Sequence, residues 1–174
     1  MLSSMFTLSI PTIRDYKLMS NAALLRQALS QRKALFADAQ AANTNCFRVF
    51  HGTVEGINGL TIDRYGEAWL VQSFHEPLPQ GELTALSDEL LKIEDLPVIY
   101  NDRSDKNSRI LNTLTDELEN FASTEQQMVE NDIHFISKLR HEGQDPLLFL
   151  DMRIGREYVK AHSKRKTVLN LFSY

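Results

Sequence analysis

The chain of 174 residues has a single cysteine, Cys46, and a lone thiol builds neither a disulfide framework nor a thiolate metal site. Its expected role is that of a small buried hydrophobe. No window approaches the roughly 18 consecutive apolar residues of a membrane-spanning helix, so a transmembrane reading is excluded and no membrane partner is expected. The first ten residues show no basic leader and no small-residue cleavage site, and a cytoplasmic location is the corresponding expectation. An excess of positive charge is also missing: the net charge is −4, so any nucleic-acid contact has to come from a local basic patch. The histidines at 51, 75, 134, 141 and 162 have no tight metal-ligand spacing, and neither a Gly-x-Ser-x-Gly turn nor a lysine-bearing phosphate loop occurs. Hydrolase, kinase and metalloenzyme readings therefore lose their support.

What is present is enough apolar sequence for one domain, or for a small domain joined to part of another, since 43% of the residues are hydrophobic. Ser20 is placed to cap a helix running toward Ala42, with Leu25, Ala28, Leu29, Leu35 and Phe36 near one face. After the polar break Asn43-Thr44-Asn45, Phe47 to Val54 reads as a strand. Leu60–Arg64 and Ala68–Phe74 are two further extended runs around Tyr65-Gly66-Glu67, the signature of a hairpin. Leu83, Leu86, Leu90 and Ile93 form one helical stripe between Glu82 and Ile93, and Val98-Ile99-Tyr100 is a short apolar strand. The middle of the chain thus predicts an α+β domain with a strand-strand-helix-strand core, its helix packed on one sheet face. Asn101–Ser108 reads as an exposed loop, Leu111–Phe121 as a short helix, and Gln126–Glu130 with Ile133–Leu139 as a second hairpin turning at Asn131 and Asp132.

Asp145-Pro146 is a helix-opening pair, and Leu150, Ile154, Tyr158 and Val159 share one face of a helix reaching about His162. Ser163–Thr167 is a basic loop. Lys160, His162, Lys164, Arg165 and Lys166 are open to two readings, a local phosphate-binding patch or a solvated helix end whose cations complement the macrodipole. Val168–Phe172 is a continuous apolar run suited to a strand buried on both faces of a parallel sheet, and with no following helix or parallel neighbour the chain is expected to be part of a longer enzyme.

Two blocks carry a family resemblance. The first is His51-Gly52, then Gly56, then Gly59-Leu60-Thr61-Ile62-Asp63-Arg64-Tyr65-Gly66; the second is Leu148-Phe149-Leu150-Asp151-Met152-Arg153, then Arg156, then Val168-Leu169-Asn170-Leu171-Phe172-Ser173-Tyr174. Together they resemble class I methyltransferases of large-subunit ribosomal RNA, among them the bacterial 23S rRNA cytosine-C5 enzymes. The resemblance runs from about Phe47 onward. It implies a Rossmann-like α/β methyltransferase domain whose first helix and strand follow the α+β accessory domain, S-adenosylmethionine as cofactor, and ribosomal RNA as substrate. In such enzymes the second block opens a helix beside the cofactor and leads into a glycine loop at the carboxyl edge of the sheet, where open α/β folds bind ligands. Those glycines are absent here. The resemblance also implies a member without the small N-terminal RNA-binding domain that relatives often carry. Met152 stands where relatives have Gln or His, so no polar contact passes to it. The family's nucleophilic cysteine comes from a later part of the catalytic domain, so Cys46 does not inherit that role.

The implied cofactor-binding residues are Phe149, Asp151, Arg153, Asn170, Phe172, Ser173 and Tyr174; no catalytic residue and no metal ligand is implied. Bland roles stand beside these. Asp151 and Arg153 can complement a helix dipole or pair on the surface, and Phe149 and Phe172 can be core. Asn170, an amide in an apolar strand, needs a partner and is the better suspect. Asp63 and Arg64, at a strand end, have a structural role. The expected division is a helical segment over 1–43, the accessory and RNA-binding domain over 44–140, and the start of the catalytic domain over 141–174. A non-catalytic RNA-binding or dimerisation module is the competing reading, with a homodimer as its simplest form.

Overall fold

The computed structural model describes residues 19–141 and 146–169. Two helices, α1 (Asn21–Gln31) and α2 (Lys33–Ala41), precede strand β1 (Cys46–His51), a single helical turn α3 (Gly52–Glu55), β2 (Leu60–Tyr65), β3 (Ala68–Ser73), helix α4 (Gln80–Leu91) and β4 (Val98–Asp102). Helix α5 (Asp116–Ser123) leads into the hairpin β5 (Gln126–Glu130) and β6 (Ile133–Ser137); a 3₁₀ turn at Leu150–Met152 runs into α6 (Arg153–His162). The sheet order is β1-β2-β3-β4, antiparallel except for the β3–β4 pair. That parallel pair needs a crossover, which α4 supplies. The expected strand-strand-helix-strand core is therefore β2-β3-α4-β4, with β1 added at the edge of a mixed α/β fold.

Alternation along the strands sorts side chains onto two faces. One face presents Phe47, Leu60, Ile62, Trp69, Val71 and Tyr100 to α1 and α4, which contribute Leu25, Ala28, Leu86 and Leu90. A register shift between Arg48 and Phe50 lets Val49 and Phe50 both point into this cluster, as a β-bulge does. The other face carries Cys46, Tyr65, Ala68, Leu70 and Ile99, covered by Ala122 of α5, Met128 of β5, Leu139, Leu148 and Leu150. The C-terminal segment is thus packed on the sheet face opposite the first helices.

Ser20 caps α1 as expected, its hydroxyl accepting from Ala23 N. The helix expected to run unbroken toward Ala42 is interrupted at Arg32, whose guanidinium turns back to the Ala28 carbonyl and pairs with Glu55. The strand expected over Phe47–Val54 ends at His51, because the chain turns into α3. Gly52 sits so close to the following loop that an added Cβ would lie 1.7 Å from the Ile57 carbonyl oxygen, and the Glu55 carboxylate accepts from His51 N at 2.7 Å. Residues Asn101–Arg103, read as exposed loop, are buried: Asn101 donates to the Leu139 carbonyl and Arg103 to Gln72. Polar sequence was no guide here, since each group finds an internal partner. The helix read over Leu111–Phe121 begins only at Asp116, where the Thr115 side chain caps Leu118 N. At the second hairpin, Asn131 and Asp132 take φ of 51° and 65°, the left-handed pair that a two-residue turn demands.

Candidate functional site

The segment that the family resemblance singles out is held to the sheet just before and at the start of the 3₁₀ turn. Leu148 and Leu150 are buried in the second cluster, and Tyr65 Oη donates to the Leu148 carbonyl at 2.8 Å. Pro146 does not open a helix; the helical geometry starts at Leu150, after Leu147 with φ 70°. Between the two anchored leucines, Phe149 projects outward and remains 53% exposed. Alternation of inward leucine and outward phenylalanine is what one extended residue between two buried ones imposes.

Helix α6 then lies on the β5–β6 hairpin through its charged edge. Arg156 Nε and Nη2 donate to the two carboxylate oxygens of Glu130, both at 2.7 Å, and Nη1 donates to the Phe149 carbonyl at 2.8 Å. Its guanidinium carbon is 5.8 Å from the Phe135 ring centroid. Bidentate pairing with the Glu130 carboxylate holds Arg156 above its ordinary arginine value. Lys160 Nζ donates to the Asn131 carbonyl at 2.8 Å, Asn131 Nδ2 donates to Glu157, and Glu157 in turn pairs with Arg153 at 3.5 Å. Residues 153, 156, 157 and 160 follow helical spacing and form one stripe.

Of the face grouped by spacing, Ile154, Tyr158 and Val159 are exposed at 76%, 65% and 50%, and Leu150 alone is buried. Periodicity identified the residues that share a face, but the ion pairs with the hairpin decide which face of α6 meets the described protein. Met152 and Leu147 extend the outward apolar surface.

Among the implied cofactor-binding residues, Phe149, Asp151 and Arg153 are brought together within one turn at the start of α6. Asp151 is exposed and has no hydrogen bond or ion pair among the described residues, although its charge acts on both Arg48 and Arg156. A free carboxylate beside an exposed aromatic ring offers hydrogen-bond acceptance and a flat apolar surface, which suits one edge of a ligand with hydroxyl groups and an aromatic base. Arg153 is partly tied to Glu157. Asn170, Phe172, Ser173 and Tyr174 lie outside the described residues, as does most of the strand expected at Val168–Phe172; Val168 and Leu169 are exposed and belong to no strand.

Cys46 is fully buried, its Sγ 3.4 Å from the Val129 carbonyl, and burial followed by the Glu130 charge pushes the thiol up to about 12. It is a packing residue. Asp63 and Arg64 are structural as expected: buried Asp63 receives Arg48 Nε and Nη2 at 2.7 and 3.1 Å, and Arg64 reaches Glu94 and the Gly66 carbonyl. Tyr65, Glu130 and Arg156 do the anchoring that sequence reasoning did not assign. Arg156 had a signal, its place in the second block, whereas Glu130 lies 26 residues away and nothing in sequence couples them. No group of three or more metal-capable side chains occurs among the described residues, and no described helix is long and apolar enough to cross a membrane.

Comparison with known proteins bears on the same residues. The family model for S-adenosylmethionine-dependent methyltransferases matches residues 47–174. Ribosomal RNA large subunit methyltransferase K/L of Alteromonas mediterranea is 32% identical over 140 residues, covering 78% of this chain and 20% of that protein. Ribosomal RNA large subunit methyltransferase of Deinococcus radiodurans is 25% identical over 166 residues, covering 88% of this chain and 38% of its own length. The chain therefore spans between a fifth and two fifths of these curated relatives. A solved methyltransferase structure complexed with SAH superposes with a TM-score of 0.60 at 18% identity, over 90% of this chain and 37% of the other. A Streptococcus mutans structure assigned as a SAM-dependent methyltransferase gives 0.60 at 19%, over 90% and 38%. At such identities the superpositions establish likeness of fold.

Proposed function

Since the chain belongs to the S-adenosylmethionine-dependent methyltransferase family, we propose that it forms part of an enzyme that transfers the methyl group of S-adenosylmethionine to a base of large-subunit ribosomal RNA. The family match carries this reading, and the curated relatives' names supply its substrate class. Residues 44–140 form the accessory unit that helps hold RNA. Residues 141–174 begin the Rossmann-like catalytic domain.

In this reading Asp151 accepts from the cofactor's hydroxyl groups, Phe149 lies against its flat base, and Arg153 braces the turn; Asn170, Phe172, Ser173 and Tyr174 complete the near wall. S-adenosylmethionine, when bound, supplies an activated methyl group on sulfur. The residues of this chain bind and orient, so their contribution is alignment rather than acid-base or nucleophilic chemistry. A cytosine C5 atom is the acceptor suggested by the family resemblance. The outward apolar face of α6, Ile154, Tyr158 and Val159, is where the remainder of the catalytic domain packs, which accounts for a helix whose charged edge is the one already docked.

The test is calorimetric titration of S-adenosylmethionine into the 174-residue chain and into a longer polypeptide from the same reading frame. Binding by the longer polypeptide, weakened by Asp151→Ala, is the expected result. Binding by neither overturns the cofactor assignment. The competing reading, a non-catalytic RNA-binding or dimerising module, predicts RNA binding or self-association without cofactor binding.

A further inference from the structure

Nine of the described lysines and arginines are ion-paired. Arg32, Arg48, Arg64, Arg140, Arg153 and Arg156 each meet a carboxylate within 4.0 Å. The turn after α6 gathers three that are not ion-paired among the described residues. Lys164, Arg165 and Lys166 are consecutive and exposed, and no described carboxylate pairs with any of them. No acidic residue occurs after Glu157. With Lys160 they supply four positive charges, so a chain of net −4 divides into this patch at +4 and a remainder at −8.

The bland explanation covers only part of this. Lys160 and His162 lie in the last turn of α6 and complement its dipole, and Lys160 is already hydrogen-bonded to the Asn131 carbonyl. Lys164–Lys166 lie beyond the helix, in a turn closed by Lys166 N donating to the Ser163 carbonyl and with Arg165 at φ 60°. Three residues span at most about 10 Å, comparable with the Debye length of about 10 Å at 0.1 M salt, so their charges act together on the solution. They repel one another and pair with no carboxylate among the described residues. Close like charges of this kind raise the local positive potential and attract a polyanion.

We propose that the basic turn Lys164-Arg165-Lys166 is a contact surface for the phosphate backbone of RNA. This rests on the reading of RNA as substrate, and it places an anchor at the end of α6 remote from Asp151. The contact is to phosphates and independent of base sequence, so it positions the substrate rather than selecting it.

The experiment measures binding of the whole 174-residue chain to a single-stranded RNA of about 16 nucleotides, a full site for one small domain, across a range of salt concentrations. Replacing all three residues by glutamine removes up to three phosphate contacts, which lowers the slope of log affinity against log salt by about 2 and weakens binding roughly tenfold to a hundredfold at 0.1 M salt. Thermal stability stays level or rises, because like charges have been removed. The charge-matched control replaces Lys33, Lys106 and Arg109 by glutamine; these are exposed cations elsewhere that are also free of ion pairs among the described residues, and the control keeps most of the affinity. An unchanged slope in the 164–166 variant, an equal loss in the control, no RNA binding by the parent chain, or preferential binding to phosphatidylserine vesicles overturns the proposal. Retained cofactor binding by the longer polypeptide alongside any of these results sinks this surface alone; absent cofactor binding with the RNA result intact sinks the enzyme reading alone.

Discussion

Replacing Arg156 by alanine tests whether the candidate cofactor segment is held as the structure indicates. The substitution removes two charge-assisted hydrogen bonds to Glu130 and one to the Phe149 carbonyl. It leaves a carboxylate side chain that is 3% exposed without its partner, while the lost arginine was itself 28% exposed. Breaking a fully buried pair costs about 3–5 kcal/mol, and the partial exposure of Arg156 brings the expectation down to about 2–4 kcal/mol. For a chain of this size that corresponds to a fall in Tm of about 5–12 °C. Because the lost contacts join α6 to the hairpin, amide protection in 150–162 should fall further than protection in β2 and β3. Urea melts of Arg156→Ala, Glu130→Ala and the double variant complete a cycle, with a coupling of about 2 kcal/mol expected between the two positions. A cost below about 0.5 kcal/mol, the level of an ordinary exposed pair, or a coupling near zero would refute the anchoring role.

Three further outcomes follow from the same geometry. Cys46, its thiol pushed up to about 12 by burial, is about one part in ten thousand thiolate at pH 8; a thiol reagent should label it only after unfolding, and rapid labelling of the native chain contradicts its assignment as core. Gly52→Ala drives a methyl group against two backbone carbonyls, Ile57 at 1.7 Å and Leu60 at 2.7 Å, and costs about 3 kcal/mol or more in a urea melt because neither oxygen can rotate away; an unaltered midpoint is the refuting result. The Glu89 carboxyl is held at about 2 by hydrogen bonds from Arg26 and then Lys92, and a depressed carboxyl stabilises the fold above its ordinary value near 4.5 and loses that contribution as pH falls toward 2. Circular dichroism through that window should therefore show a shallower acid transition for Glu89→Gln, with only about 1 kcal/mol or less lost at neutral pH since such ion pairs are weak; identical acid profiles speak against it.

Local signals made most of the sheet legible. Gly66 at φ 59° and the Asn131-Asp132 pair mark both hairpin turns, and alternation or continuous apolar runs mark their strands. The errors fall where a residue's conformation is set by something distant in sequence. Arg32 interrupts a helical pattern that continues on either side of it, and its guanidinium reaches Glu55, 23 residues later. Asn101 looks like loop material until the Leu139 carbonyl, 38 residues on, accepts its amide hydrogen. Gly52 lies inside the stretch read as a strand, yet the approach of the Ile57 carbonyl admits no side chain there. Polar residues are poor guides to exposure when their partners lie outside any local window.

Helix α6 shows the same limit at the candidate site. Spacing correctly groups Ile154 with Tyr158 and Val159, and it equally groups Arg153, Arg156, Glu157 and Lys160, but a helical wheel does not say which stripe meets the rest of the chain. Here the second stripe does, because Glu130 is presented by the hairpin with two free carboxylate oxygens at the correct separation for a guanidinium. An apolar stripe left outward is unfavourable in water, and a helix free to choose would roll it inward. It is prevented from doing so by Arg156, Lys160 and the Asn131–Glu157 contact acting along one edge. Among the described residues the orientation of α6 is thus specified by ion pairs at the expense of hydrophobic burial, and in the proposed reading its apolar face packs against the rest of the catalytic domain. Phe149 and Asp151 stay exposed in this arrangement, so the two candidate cofactor residues remain accessible to a ligand.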